Sequence, residues 1–126
     1  MGNNKILGLR TVIYKVGEIS IAKEWYAKAF EVEPYFDEPF YVGFDIGGYE
    51  LGLQPEEQSR KDRVESVIAY WGVDDIATEF NRLVTLGATA YERPKDVGEG
   101  IIVAQLKDPW ENIIGLIHNP HFKVTF

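Results

Sequence analysis

The chain has 126 residues, 45% hydrophobic content and a formal net charge of −7. These values fit one folded domain and exclude a disordered segment or a phosphate-tracking nucleic-acid surface. No apolar run approaches the ~20 residues of a bilayer span, and the absence of cysteine removes disulfides, thiolate nucleophiles and thiolate metal sites.

Met1-Gly2-Asn3-Asn4-Lys5 lacks the basic region and apolar stretch of a secretion signal, so the expected location is cytoplasmic, with no membrane partner. Leu7 to Val16 alternates and is rich in β-branched residues, which predicts a strand. After Gly17-Glu18, the residues Ile19, Ala22, Trp25, Tyr26, Ala29 and Phe30 recur at helical spacing, and Pro34 ends that helix. Three short strands are predicted around 35–36, 41–46 and 49–54, with Gly47-Gly48 as a tight hairpin turn. The mixed-charge run from Glu56 to Arg63 reads as a solvated linker, placed at 55–65.

The same programme then restarts. Residues 67–73 read as a strand, Asp74 or Asp75 caps a helix, and Ile76, Phe80, Leu83 and Val84 form its apolar face. Gly87 suits a helix end. Strands follow around 89–92, 101–106 and 112–118, with Lys107-Asp108-Pro109-Trp110-Glu111 turning between the last two. The order β-α-β-β-β is therefore written twice, in modules 7–54 and 66–118 of a single domain spanning 1–126. Val16, Glu18 and Ile19 correspond to Val73, Asp75 and Ile76 at an offset of 57, whereas Gly52-Leu53 corresponds to Gly115-Leu116 at 63. The six extra residues fit the polar segment from Tyr91 to Gly100.

Thr11 to Ile19, Trp25-Tyr26 with Phe30, Val73-Asp74-Asp75-Ile76, and Asp108-Pro109-Trp110-Glu111-Asn112 stand in the order and spacing of a known scaffold. The chain resembles the vicinal oxygen chelate superfamily of glyoxalases, bleomycin-resistance proteins and extradiol dioxygenases, with Glu111 where the family's turn has Gly. The resemblance implies an α+β fold: two tandem βαβββ modules forming a cupped, mostly antiparallel eight-stranded sheet around a cavity. On the first strand Val12, Tyr14 and Val16 would face the helix, and Thr11, Ile13 and Lys15 the cavity. By the repeat, Ala69, Trp71 and Val73 lie under the second helix, and Ile68, Tyr70 and Gly72 face inward.

Metal-using members hold a divalent cation by one side chain from the first and fourth strand of each half. The resemblance puts those positions at Thr11, Gly52, Ile68 and Gly115, with Glu50 or Gln54 on the same face as Gly52. A cation needs nitrogen or oxygen donors, so no metal and no other cofactor is expected. His118 and His121 read as surface tail residues, and Ser20 and Ser66 sit in no nucleophile motif.

The candidate ligand-binding residues are Glu50, Gln54, Tyr41, Tyr70, Lys15, Gln105 and Trp110. Glu50 would act as a general base if burial raised its pKa; otherwise it is a solvated rim carboxylate. Tyr41 and Tyr70 would stack on a flat ligand or serve the core, and Trp110, in a turn, would cover a pocket or a dimer contact. The reading is a metal-free binding protein for a small aromatic or cationic molecule, as a homodimer. The competing reading is a metal-dependent lyase, epimerase or dioxygenase with displaced ligands such as Glu50.

Overall fold

A computed structural model describes residues 9–56 and 68–121. Leu7, Gly8, Ser66, Val67 and most of the charged linker lie outside the described residues. The rest follows the doubled plan, in two compact units that divide at Ser59/Arg60. The first unit contains β1 (Thr11–Val16), α1 (Ile19–Ala29), β2 (Phe36–Glu38), β3 (Tyr41–Ile46) and β4 (Tyr49–Pro55). The second contains β5 (Ala69–Gly72), α2 (Ile76–Thr85), β6 (Thr89–Gly98), β7 (Ile101–Lys107) and β8 (Ile113–His118).

The expected eight strands form two four-stranded sheets, ordered β1-β4-β3-β2 and β5-β8-β7-β6. In each, the first strand runs parallel to the fourth and the other two pairings are antiparallel. The repeat holds to the level of register: Ile13 pairs with Gly52 and Tyr70 with Gly115, related by the two offsets.

Each sheet has one face under its helix. Ala22, Tyr26 and Ala29 of α1 are buried, as are Tyr14, Val16, Val42, Phe44, Leu51 and Leu53 on the strands. In the second unit α2 buries Ile76, Phe80 and Leu83, and the buried strand residues include Ala104, Gln105, Leu106, Ile114 and Leu116. Burial of each such large apolar side chain contributes roughly 1.5–3 kcal/mol. Val84, expected on the apolar face of α2, is exposed: Ile76, Phe80 and Leu83 form the centre of the stripe, and Val84, at i+8, stands at its edge.

Both helices end alike. Val32 N–H donates to the Ala27 carbonyl (3.1 Å) and Ala88 N–H to that of Leu83 (3.0 Å). Each bond spans a left-handed residue, Glu31 (φ 53°) in one unit and Gly87 (φ 113°) in the other. The helix starts differ: Asp75 accepts from Thr78 N–H (3.1 Å), whereas Glu18 makes no side-chain cap. Gly47 and Gly48, both at positive φ, form the two-residue β3–β4 turn, and Asp45 Oδ1 accepts from Gly48 N–H (2.8 Å).

The polar segment 91–100 departs from expectation. Most of it belongs to β6, which runs on to Gly98 as the outermost strand of its sheet, exposed along nearly all its length. Three register shifts interrupt its pairing with β7, and Pro94 lies within it. The sequence hid this strand because proline and charges suppress β propensity, which an edge strand tolerates.

Candidate functional site

The face of the first sheet opposite α1 carries Thr11, Ile13 and Lys15 on β1, in register with Glu50, Gly52 and Gln54 on β4. Gly52 in turn faces Gly43 on β3. Two facing glycines on interior strands leave a shallow floor, and three side chains close over it. A Cβ at Gly43 would meet Glu50 Oε2 at 2.8 Å and the Tyr35 ring at 3.1 Å. At Gly52 it would meet Tyr41 Cζ at 2.7 Å and Cε1 at 3.0 Å, with the Tyr41 hydroxyl closer still. Glycine in a strand marks such a close approach.

Glu50 is the centre of the cluster. Its Oε1 accepts from Thr11 Oγ1 (3.0 Å) and from the Tyr41 hydroxyl (2.8 Å), and its Oε2 accepts from the Tyr35 hydroxyl. The Tyr35 hydrogen bond holds the Glu50 carboxyl below its usual 4.5; burial opposes this, and the Tyr41 and Thr11 bonds reinforce it. Tyr41 is pushed up to about 12 by burial, then by its bond to Glu50 and the carboxylate charge. The Tyr35 phenol is also raised, chiefly by its bond to Glu50. The group is therefore a fixed anion ringed by neutral hydroxyls. The condition for Glu50 as a general base, a raised pKa, is not met, because three donors outweigh its desolvation.

Aromatic rings extend the cluster. Phe36 lies edge-on to Phe40 and to Tyr41, each at 6.1 Å between centroids. Tyr35 and Phe40 are 63% and 65% exposed, values that put their rings in reach of a ligand. Gln54 is half-buried and Lys15 exposed, at the far end of the same face from Thr11.

The matching face of the second sheet is built from different chemistry. Gln105 stands opposite Gly115 and donates from Nε2 to the Tyr70 hydroxyl (2.8 Å). A Cβ at Gly115 would meet Tyr70 Cδ1 and the Ala69 carbonyl oxygen, both at 2.7 Å. By the repeat, Thr11 and Glu50 become Ile68 and Ile113, so no anion replaces Glu50 there.

The other candidates stand elsewhere. Trp110 belongs to the β7–β8 turn, where Asp108, 1% exposed, accepts from the backbone N–H groups of Trp110 and Asn112, both at 2.8 Å. Asn112 Nδ2 also donates to Asp108 Oδ2 (3.0 Å), and Glu111 takes a left-handed φ of 71°. His118 Nδ1 lies 3.3 Å from the Val73 carbonyl and His121 Nε2 2.9 Å from that of Glu99, so each imidazole engages a different carbonyl. No group of three or more His, Cys, Asp or Glu side chains among the described residues is arranged to hold a metal.

Sequence reasoning named Glu50 and Tyr41 but missed Tyr35, Phe36 and Phe40, and treated Thr11 only as a failed ligand. Gly43 and Gly52 were the available signal: glycines on adjacent interior strands, whose missing side chains make room for others.

A model of the Glyoxalase/Bleomycin resistance protein/Dioxygenase superfamily matches residues 8–116. Among solved structures, a glyoxalase-related enzyme from Fulvimarina pelagi is similar at a TM-score of 0.77 and 17% identity, covering 95% of this chain and 94% of its own. A glyoxalase/bleomycin resistance protein/dioxygenase family enzyme from Burkholderia phytofirmans PsJN is similar at 0.76 and 18%, covering 89% and 98%. A superfamily member from Sphaerobacter thermophilus DSM 20745 is similar at 0.72 and 20%, covering 90% and 98%. At these identities the structural likeness establishes the fold alone. No curated protein matches the chain significantly.

Proposed function

The chain belongs to the glyoxalase/bleomycin resistance protein/dioxygenase superfamily, and from that premise we propose that it is a metal-free small-molecule binding protein. The observation that carries this reading is what stands at the family's fourth-strand ligand positions. Both are glycine, and the space a side chain would need is taken by Tyr41 at Gly52 and by Tyr70 at Gly115. The first-strand positions offer one hydroxyl, Thr11, and one hydrocarbon, Ile68. A divalent cation needs several anionic or imidazole donors with open positions for substrate oxygens. These four residues do not fit it.

The open face of the first sheet supports binding instead. It combines a carboxylate held in its charged form with exposed aromatic rings, the mix of an apolar surface and a few fixed polar groups that small-molecule sites use. The homodimer is carried as part of this proposal; light scattering at twice the 14.4 kDa chain mass tests it.

Elemental analysis joined to calorimetry tests the main reading. The expected result is less than about a tenth of an equivalent of metal after purification without chelators, and ligand heats unchanged by a chelator. A divalent cation that raises ligand affinity or the melting temperature would favour the alternative, a metal-dependent lyase, epimerase or dioxygenase. In that enzyme Glu50 would have to offer the metal a carboxylate oxygen that Thr11, Tyr41 or Tyr35 now hydrogen-bonds.

A further inference from the structure

We propose that the open face of the first sheet takes a quaternary ammonium ion, seated between the Tyr35, Phe36, Phe40 and Tyr41 rings and the Glu50 carboxylate. The inference rests on the small-molecule reading above and names its ligand class. It starts from the exposed aromatics: Tyr35, Phe36 and Phe40 present large apolar surface to solvent next to the Glu50 carboxylate, an arrangement that marks a contact surface. Ring faces attract cations through their quadrupoles, and most strongly where the cation sheds little water.

The hydrogen bonds at Glu50 select the kind of cation. Thr11 and Tyr41 use Oε1, Tyr35 uses Oε2, and Oε2 fills the space where a Gly43 Cβ would stand. A primary ammonium brings three N–H donors that all need acceptors, and three hydroxyls already take three of the roughly four lone-pair sites of the Glu50 carboxylate. A quaternary ammonium has no N–H to satisfy. It keeps the charge attraction to Glu50 and gains methyl contact with the rings, without breaking a bond of the cluster. Asp45, in register with Glu50, adds a second carboxylate to this face. Lys15 shares the face but stands four residues along β1 from Thr11, ~13 Å away at strand rise.

The test uses the full chain, treated with chelator, titrated calorimetrically with choline and with its uncharged carbon isostere 3,3-dimethylbutan-1-ol. Choline is expected to bind at least about tenfold more tightly than the isostere, and Glu50→Gln to bring the two within about threefold of one another. Phe40→Ala, which removes a largely solvent-exposed ring, is expected to weaken choline at least about fivefold, with circular dichroism unchanged. Equal affinity for the two probes, or choline binding indifferent to Glu50→Gln, overturns the proposal. If choline fails to bind while uncharged planar compounds bind the metal-free chain, the ligand class is wrong and the binding reading stands. If no probe of either class binds, both fall.

Discussion

One methyl group added at Gly52 asks whether Tyr41 fills the space where a relative's ligand side chain would stand. The strand cannot yield, because Gly52 is laddered to Ile13 on one side and Gly43 on the other. The new Cβ would lie 2.7 Å from Tyr41 Cζ, so the ring must swing away and release its 2.8 Å bond to Glu50. A hydrogen bond to a charged group contributes about 1.5–3 kcal/mol, and replacing a strand glycine returns about 0.5–1 kcal/mol. Gly52→Ala is therefore expected to destabilise by about 1–2 kcal/mol. In a Tyr41→Ala background the obstacle and the bond are both gone, and the same change should be neutral or stabilising by up to about 1 kcal/mol. The coupling between the two sites is then on the order of 2 kcal/mol, well above the scatter of additive pairs. Urea denaturation at neutral pH reads it as a midpoint shift on the order of 1 M in the wild-type background. An equal cost in both backgrounds refutes the reasoning, as does a neutral Gly52→Ala in the wild type.

Gly115→Ala should behave differently, because one obstacle there is the Ala69 backbone carbonyl, which cannot swing aside. A loss of about 2–3 kcal/mol is expected, and Tyr70→Ala should relieve little of it in the same denaturation assay. Glu111 holds a left-handed conformation suited to glycine, so Glu111→Gly should stabilise by about 0.5–1 kcal/mol, raising the melting temperature by a few degrees. For pH dependence, the Glu50 carboxyl is depressed in the fold, so its stabilisation is complete above about 4.5 and is lost as pH falls through its lower folded value. Glu50→Gln should remove that part of the acid sensitivity, and an acid limb identical to wild type would contradict the assignment. Tyr41 carries the opposite sign: raised to about 12, it supports the fold fully below 10 and loses that support as pH climbs through 12.

Much of the architecture was legible because it is written twice. Punctuation at Val16-Gly17-Glu18-Ile19 and Val73-Asp74-Asp75-Ile76, with glycines at 52 and 115, set the module order, and the same two offsets relate the parallel pairs of one sheet to those of the other. The faces of β1 followed from alternation, since Tyr14 and Val16 are buried and Ile13 and Lys15 are not. The site was only half legible. Glu50 and Tyr41 lie in a regular strand pattern that gives their face, whereas Tyr35 precedes β2 and Phe40 sits between β2 and β3, where no periodicity reports direction. The sign of the Glu50 shift was also beyond sequence reading, because it depends on three hydroxyls from residues 11, 35 and 41 converging on one carboxylate.

The six residues by which the second module exceeds the first have a bearing on how the chain survives in a crowded solution. One of them falls in the β7–β8 turn and the others lengthen β6, an outermost strand, and a long bare strand edge is a template for fibril growth. Pro94 withholds a donor, Lys95 adds a charge, and three slips of register twist the ribbon away from flatness. Growth at this hairpin has thus been accompanied by the features that keep an enlarged edge from recruiting another molecule.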